Sequence, residues 1–409
     1  MIVRSSVLTS TRIGILVIGT SFATHAHAQW TALTAGIQSV RSLTADAGAL
    51  YAATYPSGVK KSTDGGDNWN PVNTGLPQSG ANYFVESVGR NGSYLFAGTQ
   101  SGIYRSNDAG ASWAMANGTL TASNTVFANK FFVFGGITMA VFNGDILSGG
   151  GIWRTSNNGT AWTIGHSGMG SNAKVYDLVE QGGVLYAATS VGLYTSSDNG
   201  LSWQLSAAMN YSCYALASIS NTLVAVTTFG YQYSTNNGGS WNNATGGPAN
   251  PSAGELKAFD GKVYATTVGS TGCLVSINNG ATWAAANGGL SAIDQTALTE
   301  FLVSGSILYV GALFEVYSIT GLGVGMAHQQ GATATTITPT LFADGFNVEG
   351  LEGSSGMLEL VDVHGRTVRM QAVNSATVRV TREMLPAGAY SVMLQNSNGR
   401  TFLGRVVAQ

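Results

Sequence analysis

Short apolar runs recur along the chain at nearly even spacing. One set reads LYAAT from Leu50, LFAGT from Leu95, LYAAT from Leu185, LVAVTT from Leu223, VYATT from Val263 and LYVGA from Leu308. Upstream of each lies another apolar segment, such as Val175 to Val179, joined to it by a turn such as Gln181-Gly182-Gly183. A third run follows, Gly102 to Ser106 for example. Short runs rich in Val, Ile, Tyr and Thr, bounded by Gly, Asn, Asp and Ser, are strands joined by tight turns. The pattern predicts an all-β chain built from a repeated unit.

Tryptophan sets the period. Trp30, Trp69, Trp113, Trp162, Trp203, Trp241 and Trp283 are separated by 39, 44, 49, 41, 38 and 42 residues. From Trp69 onward each closes the same octapeptide, with Asp64, Asp108 and Asp198, or Asn157, Asn236 and Asn278, at its third position and Gly at its fifth. A period of ~40–50 residues marks a propeller or solenoid, and four strands per period make a propeller blade. The motif has a mechanical reading. Asp or Asn accepts hydrogen bonds from backbone amides two residues on, Gly permits positive φ, and Trp starts the outer strand and covers the gap to the next blade. These acids are turn-makers first.

The ends set the count. The period after Leu308 contains Glu315 to Thr320 with no following Trp, while Trp30 to Ile37 matches the stretch after the other motif tryptophans. The amino-terminal segment therefore supplies the missing outer strand of the last blade, giving seven blades over residues 29–325. Closure removes exposed sheet edges. The long 49-residue interval assigns blade three an insertion before its inner strand, near Phe131 to Phe134.

The octapeptide S-x-D-x-G-x-x-W resembles the Asp-box, or bacterial neuraminidase repeat, of sialidases, sortilin-type receptors, xyloglucan-cleaving glycoside hydrolases and a photosystem assembly factor. The resemblance implies a seven-bladed Asp-box propeller; it leaves activity open, because unrelated functions share the scaffold.

Residues 1–28 read as a secretory signal, with Arg4 and Arg12, an apolar run from Ile13 to Gly19, and Ala26-His27-Ala28 fitting a cleavage site. No other stretch approaches the ~18 apolar residues of a membrane helix. Residues 326–340 are polar and Thr-rich, a linker. Residues 341–409 form a small β-sandwich, with strands expected at Leu358 to Val363, Thr377 to Val380, Tyr390 to Gln395 and Thr401 to Ala408, and an Asn398-Gly399 turn. Asp362-Val363-His364-Gly365-Arg366-Thr367-Val368 and Leu385-Pro386-Ala387-Gly388-Ala389-Tyr390 resemble the hairpin and turn of type IX secretion sorting domains, as does the closing Arg405-Val406-Val407. Thr338-Pro339-Thr340 replaces the usual opening of that family. The resemblance implies the type IX machinery as a partner and a secreted or cell-surface location.

A net charge of −2 argues against nucleic acid or an anionic membrane as partner, since both require a basic patch. Cys213 and Cys273 fall on strands at different radii, so two buried thiols are expected rather than a disulfide. A sialidase needs three converging arginines, yet the propeller holds only Arg41, Arg90, Arg105 and Arg154, apart in sequence and without the family's arginine motif. Another glycoside hydrolase needs a carboxylate pair ~5–9.5 Å apart; the candidates near the channel or the face opposite the Asp-boxes are Glu86, Asp177, Glu255, Asp294, Glu300 and Glu315. Asp46, Glu180 and Asp260 lie at hairpin tips. His166, His328 and His364 are isolated, so no metal and no cofactor is expected.

Binding remains. Loops between second and third strands carry Tyr55, Gln100, Phe229, Tyr231 and Phe314 to the mouth of a funnel, and loops entering the inner strands add Tyr83, Phe84, Phe127, Phe131 and Tyr211. Aromatic rings with amide side chains around a concavity suit a sugar or a peptide. The reading is a monomeric, exported propeller that binds a glycan or protein ligand without a catalytic residue. A hydrolase using a funnel-face carboxylate pair, and a structural or assembly factor of the cell envelope, are the alternatives.

Overall fold

The computed structural model describes residues 30–321 except 34–36, 47, 121–126, 249–253 and 268–270, and residues 336–338 and 341–408 except 350, 352–355, 362–366, 374, 384, 397 and 398. The segment read as a secretory signal, His328, His364, the first five residues of the Asp362 hairpin motif and Asn398 of the last turn lie outside the described residues.

Among those residues the fold is a β-propeller of seven four-stranded antiparallel sheets. Blade 1 runs through Val40–Asp46, Ala49–Thr54, Gly58–Ser62 and Asn70–Pro71. Blades 2 to 6 follow over residues 85–115, 128–164, 175–205, 213–243 and 256–285, and blade 7 over 301–320. The first strand of each blade lies against that of the next, and the first strand of blade 7 returns to that of blade 1. Second strands such as Ala49–Thr54 and Thr222–Thr227 are buried on both faces, since a blade sits on either side. Their sequences therefore read as unbroken apolar runs instead of alternating.

The amino-terminal strand Thr31–Leu33 pairs with Val316–Thr320 of blade 7, Thr31 opposite Ser318 and Leu33 opposite Val316. Trp30 is fully buried, stacks on Phe301 and donates its indole N–H to Ala286 O at 2.8 Å. Leu33 reaches blade 1, where a side chain on Gly66 would collide with it at 2.6 Å. Each of the other six motif tryptophans also stands directly before the short outer strand of its blade.

The octapeptide turn works differently from the two-residue reach read from sequence. Asp64 Oδ1 accepts the Asn68 amide four residues on, at 3.0 Å, while the Gly66 amide donates to Ser62 Oγ at 2.9 Å. The same four-residue bond occurs at Asp108, Asn157, Asp198, Asn236 and Asn278. Not only the fifth position but also the fourth is left-handed, as at Ala109 and Asn237, both at φ 56°. That conformation turns the carbonyl toward the neighbouring blade. Tyr51 Oη donates to Ala109 O and Tyr186 Oη to Asn237 O, so each of these turns is tied to the blade before it.

Hydrogen bonds to the ionised form hold the Asp64, Asp108 and Asp198 carboxyls down at about 2, against an ordinary 3.8. The leading donors are the Asn68 amide, the Ser106 hydroxyl and the Ser202 hydroxyl respectively. A depressed carboxyl contributes stability that is full above its unfolded value and is lost as pH falls through the folded one. Thermal melts between pH 5 and 2 should therefore fall less steeply for the triple Asp→Asn variant than for the parent. Parallel slopes would remove the motif from the acid response.

The carboxy-terminal residues form a three-stranded and a five-stranded sheet that share one core, including Phe346, Leu358, Val380 and Val392. Thr336–Thr338, assigned to the linker by composition, is a strand paired with Gly345–Glu349. The Leu385 turn is closed by Tyr390 Oη donating to Pro386 O at 2.7 Å. Cys213 and Cys273 are both buried free thiols.

Candidate ligand-binding site at the channel mouth

The inner strands of blades 1 to 5 each carry a β-bulge, at Arg41, Glu86, Asn129, Tyr176 and Tyr214. A bulge adds one residue and re-aims the side chains around it. Immediately after the bulges come Ser42, Ser87, Lys130, Asp177 and Ala215, and Glu255 and Glu300 occupy the same pairing position in blades 6 and 7. These seven positions form one layer around the channel.

The layer stitches the ring together. Asp177 Oδ2 accepts the Leu216 amide at 2.9 Å, Glu255 Oε2 the Phe301 amide at 3.0 Å, and Glu300 Oε2 the Leu43 amide at 3.2 Å. Ser42 Oγ does the same for Val88 N at 3.1 Å. In each case a side chain holds the inner strand of the following blade.

Lys130 crosses the channel. Its Nζ lies 3.5 Å from Asp177 Oδ1 on blade 4 and 3.7 Å from Glu255 Oε1 on blade 6. Burial works against its ammonium, but Asp177, Glu255 and Glu300 together outweigh that and raise its proton affinity well above the lysine range. Burial is also the main force pushing the Glu255 carboxyl up; Glu300 and Asp177 add to it, and Lys130 and Lys257 oppose it. One ammonium thus serves three carboxylates.

Above this floor opens a cavity of about 270 Å³, walled by Arg41, Asn129, Tyr176, Tyr214, Leu298 and Thr299. A second cavity of about 290 Å³ shares Arg41, Leu298 and Thr299 with it and continues past Val40, Tyr55 and Leu313. Arg41 is paired with Glu86 at 3.7 Å and lies over the Tyr55 ring. Tyr176 and Tyr214 meet at 5.6 Å between ring centres, with the Lys174 ammonium over Tyr176.

Of the binding residues read from sequence, Tyr55, Gln100, Phe229 and Phe314 are exposed, the aromatic three at 41%, 65% and 47%. Tyr55 packs on Phe84, and Phe229 on Tyr211, in separate patches. Tyr55 lines the second of the two cavities. The loop placement of Tyr231 is corrected: at 4% exposure it packs at a tilt against Trp283 inside the core, because it lies within strand Gly230–Ser234 and not in the loop before it. Phe131 is likewise packed on Phe96 between blades 2 and 3.

Among the carboxylates, Asp177, Glu255 and Glu300 converge, whereas Glu86 pairs with Arg41. Asp294 is a buried structural acid that accepts from Ser291 Oγ, Tyr317 Oη and the Phe314 amide. Asp46 is held by Arg90 at 2.6 Å. His166 is half-buried, and burial lowers its proton affinity. The blade 3 insertion lies between its second and third strands, residues 143–150, not before the inner strand. It brings Leu147, 81% exposed, to the funnel face. Lys130, Tyr176 and Tyr214 escaped the sequence reading; aligning the seven inner strands on their buried Leu, Val or Phe would have put the channel layer in one column.

The DUF6242 beta propeller domain family matches residues 117–252. No curated protein matches the chain in sequence. Among solved structures, PorZ, an essential surface component of the type IX secretion system of Porphyromonas gingivalis, aligns with TM-score 0.54 at 14% identity, covering 92% of this chain and 60% of PorZ. The chain thus spans less than two thirds of that protein. YCF48 bound to D1 peptide aligns with TM-score 0.55 at 14% identity, covering 73% of this chain and 98% of YCF48. An ancestral GH74 enzyme aligns with TM-score 0.53 at 17% identity, covering 93% of this chain and 64% of the enzyme. At these identities the likeness is one of fold. The protein class is a β-propeller with an additional all-β segment. Among the described residues no helix is long and apolar enough to cross a membrane.

Proposed function

We propose that this chain is an exported or cell-surface Asp-box propeller that binds a protein or glycan ligand at its channel mouth without catalysis, and that residues 341–409 act as a type IX sorting domain. The observation that carries the reading is the pair of adjoining cavities beside exposed Tyr55 and Leu313, while the nearby carboxylates are engaged by strand amides. A carboxylate committed to holding the ring is a poor nucleophile or base. Two structural neighbours support it: one is bound to a peptide, the other is a surface component of type IX secretion.

Arrays of glycans and of peptides, probed with the full chain, test this reading. Tyr55→Ala should weaken any retained ligand by ~1–3 kcal/mol if the ring is an anchor, with the melting transition unchanged. Phe229→Ala, in a separate patch, serves as the comparison. Equal loss from both would move the site off the channel mouth.

A hydrolytic reading has one observation in its favour, the raised proton affinity of Glu255 beside Glu300, which suits a general acid next to a base. Turnover of any oligosaccharide that vanishes in Glu255→Gln would establish it over the binding reading.

A further inference from the structure

The floor of the cup is unbalanced. Three carboxylates face one ammonium, and each is fixed in place by a strand amide rather than free to swing away. Of the other cations, Arg41 is engaged with Glu86 at the rim and Lys174 lies over the Tyr176 ring, while Lys257, two residues past Glu255, adds a weaker attraction to Glu255 than Lys130 does. Glu300 is bonded through one oxygen, to the Leu43 amide, and its other oxygen has no hydrogen-bond donor among the described residues. The walls suit a cation as well. Tyrosine faces attract ammonium and guanidinium groups, and the Tyr176 face already does so for Lys174.

The adjoining cavity has the opposite character. Val40, Leu298, Leu313 and the Tyr55 ring give it mostly apolar walls, and it adjoins the cup at Arg41, Leu298 and Thr299. A single ligand spanning both must carry a cationic group next to an apolar one. Neutral and acidic glycans lack that pairing; a polypeptide supplies it with two neighbouring side chains.

We propose that the channel mouth takes an extended peptide segment of a partner protein, with the head of an arginine or lysine side chain in the cup against Glu300 and an adjacent apolar side chain in the groove beside Tyr55. The proposal rests on the channel mouth being the ligand site and names its ligand class. Charge complementarity in a desolvated cup favours a basic side chain, and an acidic one there meets like charge.

Selection of random displayed peptides on the full chain provides the probe, followed by titration of one selected arginine peptide and its citrulline analogue. Citrulline keeps the shape of arginine and removes the charge. The expected result is enrichment of Arg or Lys beside an apolar residue, and a citrulline peptide that binds about tenfold or more weakly. Glu300→Gln, which retains an oxygen for the Leu43 amide, should weaken the arginine peptide by a similar factor and leave the citrulline peptide unchanged. Peptides that need Tyr55 but show neither a basic preference nor a citrulline effect would overturn the proposal and leave the binding reading intact. If no peptide is retained and glycans are, the proposal fails and the site keeps a different ligand. Retention of neither overturns both.

Discussion

Removal of Trp30 to Leu33 should open the ring and convert a cooperatively melting propeller into an aggregation-prone one. Three observations make this the larger of the expected losses. The strand Thr31–Leu33 is the outer member of blade 7, so its removal leaves Val316–Thr320 as an unpaired edge. Bare edges template pairing with other chains. Trp30 fills the core between blades 6 and 7 against Phe301 and Tyr264. Its indole and backbone N–H groups satisfy Ala286 O and Gly288 O, both at 2.8 Å. The side-chain part alone, tested as Trp30→Ala, should cost ~3–5 kcal/mol, a large share of the ~5–15 kcal/mol that holds a domain together. Trp241→Ala is the internal comparison. That ring is only half-buried and its buried indole N–H has no partner among the described residues, so a smaller loss is expected. Melting curves with size-exclusion chromatography decide the matter. A Trp30 variant that melts with the parent would mean the seventh blade closes without its amino-terminal strand.

The difference between these two tryptophans also shows what the sequence could and could not carry. The same motif, with Asp198 in one copy and Asn236 in the other, ends at Trp203 and Trp241, yet one indole reaches Gly165 O at 2.8 Å and the other has no partner among the described residues. The strands, the turn chemistry and the amino-terminal closing strand were legible because each rests on local pattern: apolar runs, Gly at a left-handed position, Trp at a fixed interval. The four-residue bond of the turn was not legible, since choosing between an amide two or four residues away depends on the left-handed fourth residue. Ala109 gives no hint of that conformation.

The site was legible only in part, for a different reason. Tyr55, Phe229 and Phe314 stand in loops whose exposure follows from the fold. Tyr231 differs from Phe229 by two positions and falls inside the strand, where the same aromatic chemistry becomes core. The acids at 177, 255 and 300 were recognised as candidates, but their meeting depends on the channel radius and on a lysine from blade 3, which carries none of them. Nothing local to Lys130 marks it. A charge in the run Ala128–Phe134 reads as an interruption of a strand until the ring is closed.

Lys130→Met should be the second large loss, and its pH dependence should identify the cause. The side chains of Lys130, Asp177 and Glu255 are 24%, 7% and 13% exposed. Removing the cation takes the ion-paired ammonium away from Asp177 and Glu255 and leaves the weaker attraction of Lys257 on Glu255. Breaking such a pair from one side typically costs ~3–5 kcal/mol, because the remaining charges stay desolvated. Glu255→Gln acts on the opposite side of the balance. The amide oxygen of glutamine still accepts the Phe301 N–H, one surplus charge is gone, and stability at pH 8 should hold or rise. The sign with pH follows from linkage. Lys130 is the main cation opposing burial at Glu255, so without it that carboxyl is pushed further above its unfolded value of about 4, and the native state binds a proton that the unfolded state has released. Stability of the variant then falls as pH rises. Its deficit against the parent should be largest at pH 8 and narrow toward pH 5, and the double variant with Glu255→Gln should recover part of it. Thermal melts of the four proteins at both pH values measure this. A deficit of the same size at both would assign the loss to packing of the lysine stem, and the charge balance of the channel would then have no part in holding the ring.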